Sequence, residues 1–163
     1  MIQKKICMLG AFAVGKTSLV ARFVRSLFSE KYHSTVGVKI DKKAMCVDGQ
    51  DVTLMLWDIA GEDEFQKIQK TYLRVASGYL LVVDGTRRDT LETAASIRNE
   101  VESAVGALPF VVVLNKTDLA EKWEVEDASA RERFAGATIL RGSAKTGEGV
   151  EEAFEALARG LLG

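Results

Sequence analysis

The sequence predicts an α/β fold in three layers: a six-stranded, mostly parallel sheet with one antiparallel strand, and helices on both faces. Three observations lead there. Short, fully apolar runs such as Tyr79 to Val83 and Phe110 to Leu114, bounded by polar turns, suit central parallel strands covered on both sides. Between them lie stretches with helical spacing, so strand and helix alternate through the second half of the chain. In the first half, Asp48-Gly49 joins two strand-like runs, 38–47 and 51–57, as a type I′ hairpin, which supplies the antiparallel strand.

The elements follow in order. Ile6 to Leu9 reads as a buried strand, and Leu19, Val20, Phe23, Val24 and Leu27 share one face of a first helix. Phe28 to Val38 has no clean period and reads as a polar loop. After the hairpin, Phe65, Ile68, Tyr72, Leu73 and Ala76 repeat with helical spacing; a further helix carries Leu91, Ala94, Ala95, Arg98, Val101 and Val105. A weaker helix covers about 125–134, Thr138 to Leu140 forms the last strand, and Val150, Phe154, Leu157 and Leu161 mark a final helix. Pro109 stands at a strand start, where a missing N–H costs least.

Composition narrows the function. The 163 residues are 47% hydrophobic and 28% charged, with a net charge of −1, as expected of one globular domain spanning 1–163. No Lys/Arg run gives an electrostatic footprint for nucleic acid. Cys7 and Cys46 both fall in apolar runs and are expected as buried free thiols in a reducing cytoplasm. Lys4-Lys5 and the apolar run ahead of Ala11-Phe12-Ala13 mimic a signal peptide, but cleavage there would cut through the next motif. Residue 2 is Ile, the chain ends Leu161-Leu162-Gly163, and the expectation is a cytoplasmic monomer with no stable membrane anchor.

That motif, Gly10-Ala11-Phe12-Ala13-Val14-Gly15-Lys16-Thr17, has the spacing of a phosphate-binding loop and joins a strand to a helix. Backbone N–H groups and the helix N-terminus face the anion, Lys16 adds a point charge, and the Thr17 hydroxyl can ligate Mg²⁺. Gly10, Ala13, Val14, Gly15, Lys16, Thr17 and Ser18 are the candidate phosphate-binding residues. A lysine in the first helical turn is poorly placed without such an anion. Asp58-Ile59-Ala60-Gly61 follows the second hairpin strand: Asp58 can hold Mg²⁺ through water, and the Gly61 N–H can reach a γ-phosphate. Asn115-Lys116-Thr117-Asp118 ends another strand. A carboxylate at Asp118 accepts two N–H bonds from guanine, which adenine cannot offer. Asn115 can tie loops together, the Lys116 stem can cover the base, and Ser143-Ala144-Lys145 supplies a backbone N–H that can meet guanine O6.

Taken in this order, these residues resemble the Ras-like small GTPase superfamily, nearest the Rab and Ras branches, over almost the whole chain. The resemblance implies a P-loop NTPase fold (a G domain) and a GTP/GDP switch with GTP or GDP and Mg²⁺ as its cofactors. Thr17, Thr35 and Asp58 would then serve the metal, Thr35 and Gly61 the γ-phosphate, and Phe28 the guanine edge. Lys16, Thr35, Gly61 and Glu62 become the catalytic candidates. Effector, exchange and activating proteins are expected on residues 30–40 and 60–75. The stretch 35–38 with Trp57, Phe65 and Tyr72 looks Rab-like, and Trp57 suits either a partner surface or plain core packing.

Three departures stand out: Glu62 where the pattern has Gln, Phe12 where it has a small or short polar residue, and Ile59 for Thr. A carboxylate at position 62 can repel the γ-phosphate, accept a proton from water, or turn into solvent, and the residues leave these open. Phe12 is expected to obstruct an arginine supplied by an activating protein. Arg87 and Arg88 read as solvated loop charges. The functional expectation is slow GTP hydrolysis, with a nucleotide-dependent binding module of little turnover as the alternative. An ATP-using kinase on the same loop is disfavoured by Asp118.

Overall fold

The computed structural model describes residues 2–25, 38–59 and 73–162. Its strands are β1 (Ile2–Gly10), β2 (Val38–Val47), β3 (Gln50–Ile59), β4 (Gly78–Asp84), β5 (Phe110–Asn115) and β6 (Thr138–Arg141). They form one sheet in the order β2-β3-β1-β4-β5-β6. Every neighbouring pair is parallel except β2 with β3. The hairpin turns as its sequence requires: Asp48 and Gly49 both have positive φ, 51° and 81°, the pair of left-handed residues that defines a type I′ turn.

Among the described residues, four helices flank the sheet: α1 (Lys16–Arg25), α2 (Asp89–Val105), α3 (Asp127–Arg133) and α4 (Val150–Leu162). The two-residue period of β1 divides its side chains between two cores. Ile6 and Met8 pack with Leu19 and Phe23 of α1 and Phe154 of α4, whereas Cys7 and Leu9 pack with Leu91 and Val101 of α2 and with Phe134. The Phe23 and Phe154 rings stack at 4.0 Å between centroids and lock α1 to α4. β4 and β5 are apolar on both faces because helices cover both, which explains why neither shows alternation.

Some details differ from expectation. The inward face of α2 carries Ile97 rather than Arg98, whose guanidinium lies 5.7 Å over the Phe110 ring at the helix edge. Cys46 is exposed, not buried: β2 is an edge strand with one covered face, so Val47 turns inward and its neighbour outward. Leu73 is buried and Ala76 packs beside it; Phe65, Ile68, Tyr72 and Leu27 lie outside the described residues. Among the described residues, no helix is long and apolar enough to cross a membrane.

The sheet order reverses direction at β1, which has β3 on one side and β4 on the other. Ligands of such sheets bind beyond the strand carboxyl ends at that reversal, the place where the loop from Gly10 to α1 lies.

Candidate nucleotide-binding site

Beyond β1 the chain turns tightly and enters α1 at Lys16, with Leu19 N–H donating to the Gly15 carbonyl at 2.9 Å. The first turn of α1 carries no acidic side chain, so its positive end remains available to an external anion. Lys16 folds back over the loop. Its Nζ donates to the Gly10 carbonyl at 3.2 Å and the residue is 7% exposed. Burial pushes its pKa down to about 8, against the opposing pull of Asp58. A phosphate beside it would reverse that shift. Gly15 has φ 108°, and a Cβ there would lie 2.3 Å from Asn115 Nδ2, so close approach as well as conformation demands glycine.

Thr17 Oγ1 donates to Asp58 Oδ2 at 2.5 Å, bringing the hydroxyl at the start of α1 onto the carboxylate near the end of β3. Asp58 is 1% exposed. Among the described residues, no group of three or more His, Cys, Asp or Glu side chains gathers to make an all-protein metal cage. One hydroxyl and one carboxylate, completed by phosphate oxygens and water, are instead the kind of oxygen set that suits Mg²⁺.

At the other end, three segments meet. Asn115 Nδ2 donates to the Val14 carbonyl at 2.9 Å, and its Oδ1 accepts the Ala144 N–H at 3.3 Å. Lys116 is left-handed, with φ 78° and ψ 37°, which swings its side chain over the phosphate loop. Its Nζ donates to the Ala13 carbonyl at 3.1 Å and to Asp84 Oδ2 at 2.7 Å. A 3₁₀ turn over Thr117–Lys122 carries Asp118, whose Oδ1 accepts the Ser143 hydroxyl at 2.7 Å. Arg22 of α1 holds the Ala144 carbonyl at 2.7 Å and also reaches the Lys145 carbonyl. Segments separated by more than a hundred residues are thus bonded into one frame.

Asp84, at the end of β4, was not among the candidates, although its position at the end of an apolar strand matches that of Asp58. It is 1% exposed and receives Lys116, Arg87 and Thr86. Burial pushes its pKa up, but the bonds from Lys116, Thr86 and Arg87 together outweigh it and keep the carboxyl below the usual range. Arg87 is therefore not a solvated charge: besides Asp84, it holds the Phe12 carbonyl at 2.9 Å. Trp123 lies across Gly85, where a Cβ would come within 2.1 Å of its ring, and Arg141 sits 5.1 Å above the indole.

Phe12 is 56% exposed at the loop rim. Trp57 is buried at 7% with Lys5 Nζ 5.4 Å over its ring, so core packing prevails over a surface role. Its register partner Ile40 is 50% exposed. Ser18 lies in the first turn of α1. Phe28, Thr35, Gly61 and Glu62 lie outside the described residues.

This sheet, with a phosphate loop at its reversal point, defines a P-loop nucleotide-binding domain of the α/β class. The Ras family model matches residues 5–162. The chain is 34% identical over 163 residues to Ras-related protein Rab-19 of Rattus norvegicus, covering 97% of this chain and 75% of that protein. With the same coverage it is 35% identical to the Homo sapiens protein and 36% to the Bos taurus protein of that name. The chain belongs to the Ras family, on its Rab side, and is a small GTP-binding protein of the GTPase class.

Proposed function

We propose that the chain is a GTP/GDP switch with slow, Mg²⁺-dependent GTP hydrolysis, formed as a single domain over residues 1–163. The observation that supports this best is the bonding of the phosphate loop to Asn115 and Lys116, and of Asp118 to Ser143. The segments proposed for phosphate and purine are thereby bonded to each other without a nucleotide. Gly10, Ala13, Val14, Gly15, Lys16, Thr17 and Ser18 receive the phosphates, and Asn115, Lys116, Asp118 and the Ser143-Ala144-Lys145 loop receive guanine, with Phe28 at its edge. Asp118 accepts the guanine N–H pair; ATP would leave its lone pairs unmet, which gives the specificity.

Thr17 and Asp58 fit a Mg²⁺ ion, with Thr35 as a further ligand, and the ion would neutralise phosphate charge when bound. Lys16 stabilises charge building on the phosphates, while Thr35 and Gly61 sense the terminal one. Glu62 takes the place of a water-orienting amide. A carboxylate about 4 Å from the terminal phosphate is repelled by up to ~4 kcal/mol at an intermediate dielectric, before Lys16 and the ion offset it. Unassisted turnover is then expected on the order of 10⁻⁴ to 10⁻² per second. Effector, exchange and activating proteins would engage residues 30–40 and 60–75, and an exposed thiol at Cys46 suits a reducing cytoplasm.

Single-turnover phosphate release from the GTP complex, with Glu62→Gln in parallel, tests this reading. Measurable release that changes with Glu62 supports the switch. Tight GTP binding with no release over hours would instead make the chain a nucleotide-dependent binding module. Exposure of Phe12 adds a second arm: a Ras-type activating protein is expected to accelerate release little, and strong acceleration would refute the obstruction.

A further inference from the structure

Three consecutive carbonyls of the phosphate loop are held by donors from the ends of β4 and β5. Arg87 Nη2 donates to Phe12 O at 2.9 Å, Lys116 Nζ to Ala13 O at 3.1 Å and Asn115 Nδ2 to Val14 O at 2.9 Å. A trans peptide points its carbonyl and the next N–H in opposite directions. Each carbonyl drawn toward β4 and β5 therefore turns the following N–H, of Ala13, Val14 and Gly15 in turn, to the opposite side of the loop. Successive N–H groups facing one way form an anion-binding concavity.

Asn115 and Lys116 belong to the purine motif, but Arg87 does not. Its guanidinium is forked: Nε donates to Asp84 Oδ2 at 2.9 Å while Nη2 reaches the loop. The same Asp84 oxygen accepts Lys116 Nζ at 2.7 Å, and Thr86 fills the other oxygen through its N–H at 2.9 Å and its hydroxyl at 2.6 Å. The carboxylate is buried and anchored by the strand, so the arginine bears on the loop from a fixed support. A lysine has one donor centre and cannot reproduce the fork.

We propose that Arg87 is a positioning residue for the nucleotide phosphates, acting through the Phe12 carbonyl to present the Ala13 N–H, with Asp84 holding Arg87 and Lys116 in common register. This rests on the phosphate-loop reading of Gly10 to Thr17. It assigns Arg87 to the phosphates alone and Asp84 to both ends of the site.

The test compares wild type, Arg87→Ala and Arg87→Lys by GDP and IDP affinity, the ³¹P spectrum of bound GDP, and the melting temperature of the GDP complex. IDP lacks the exocyclic amine whose N–H would donate to Asp118. Arg87→Ala is expected to weaken GDP and IDP equally, by about tenfold for one charge-assisted bond, and to shift the bound diphosphate resonances. Arg87→Lys should stay nearer to Arg87→Ala than to wild type. Unchanged affinity and spectrum with a lowered melting temperature would make Arg87 merely structural and overturn the proposal. A changed GDP-to-IDP ratio would overturn it too, placing Arg87's effect on the base. Failure of the wild type to bind GDP would bring down the phosphate-loop reading itself, a result distinguishable from either.

Discussion

The purine end and the metal end of the site are built differently. At the purine end, Asn115, Lys116, Asp118, Ser143 and Ala144 are held by a mesh of bonds drawn from α1, the phosphate loop and the ends of β4, β5 and β6. At the proposed metal end, Thr17 and Asp58 bond directly to each other, and the other metal candidate, Thr35, comes from a separate stretch of chain. A mesh fixed before the ligand arrives confers selectivity, because a wrong ligand leaves buried polar groups unmet. A pair of oxygens that can exchange a mutual bond for a cation gives responsiveness instead. On the proposed function, recognition of the nucleotide would thus be separate from sensing of its phosphates.

The largest expected effect falls on the mesh. Asp118→Ala removes the carboxylate proposed to select guanine, and the preference for GTP over ATP in competition binding should drop by about a hundredfold to ten-thousandfold. A preference that survived would locate selectivity elsewhere and break the contrast. Gly15→Ala comes next, because Gly15 is where the two ends touch: its new Cβ would drive into Asn115 and strain a backbone at φ 108°. GDP affinity is expected to fall by about thirtyfold, from lost bonding plus strain. Gly49→Ala is its control, also at positive φ but with nothing within 4 Å, and should lower only stability, by about 1 kcal/mol. Equal effects on GDP binding would mean that conformation, not the Asn115 contact, matters at Gly15.

The smallest effect concerns pH. Burial holds the folded pKa of Lys16 at about 8, below its ordinary value of 10.5. The ligand-free fold therefore carries a penalty for the charged amine at neutral pH, and that penalty is relieved as pH rises from about 8 toward 10.5. Phosphate binding has the opposite slope, because it needs the ammonium. GDP affinity measured by calorimetry should be level below pH 7.5 and fall by up to about tenfold by pH 9. A flat profile would show that Lys16 stays charged without its ligand.

Much of this could be read from residues. The hairpin was legible because Asp-Gly has few other uses between two strand-like runs, and its two positive φ values answer to it. That the stretches 10–17 and 115–118 would meet was legible because each sits at fixed spacing after an apolar strand. Asp84 was not, although it also ends a strand: a lone carboxylate in Asp84-Gly85-Thr86 looks like ordinary turn chemistry until Lys116 and Arg87 arrive from elsewhere in the fold. Arg87 was misread for the same reason, since local sequence cannot show that a loop 75 residues away presents a carbonyl to it. Cys46 was misread because an apolar neighbourhood does not distinguish the two faces of an edge strand.

The two tryptophans of the chain fall one at each end of the site. Trp57 immediately precedes Asp58 and lies beneath the Lys5 ammonium; Trp123 rests on Gly85, next to Asp84, beneath the Arg141 guanidinium. Indole emission is sensitive to the charge and packing around it, so the protein carries a native chromophore beside each half of its nucleotide machinery. Silencing either one with phenylalanine would let the remaining ring report, in real time and without a dye, which half of the molecule responds first when nucleotide or metal is exchanged.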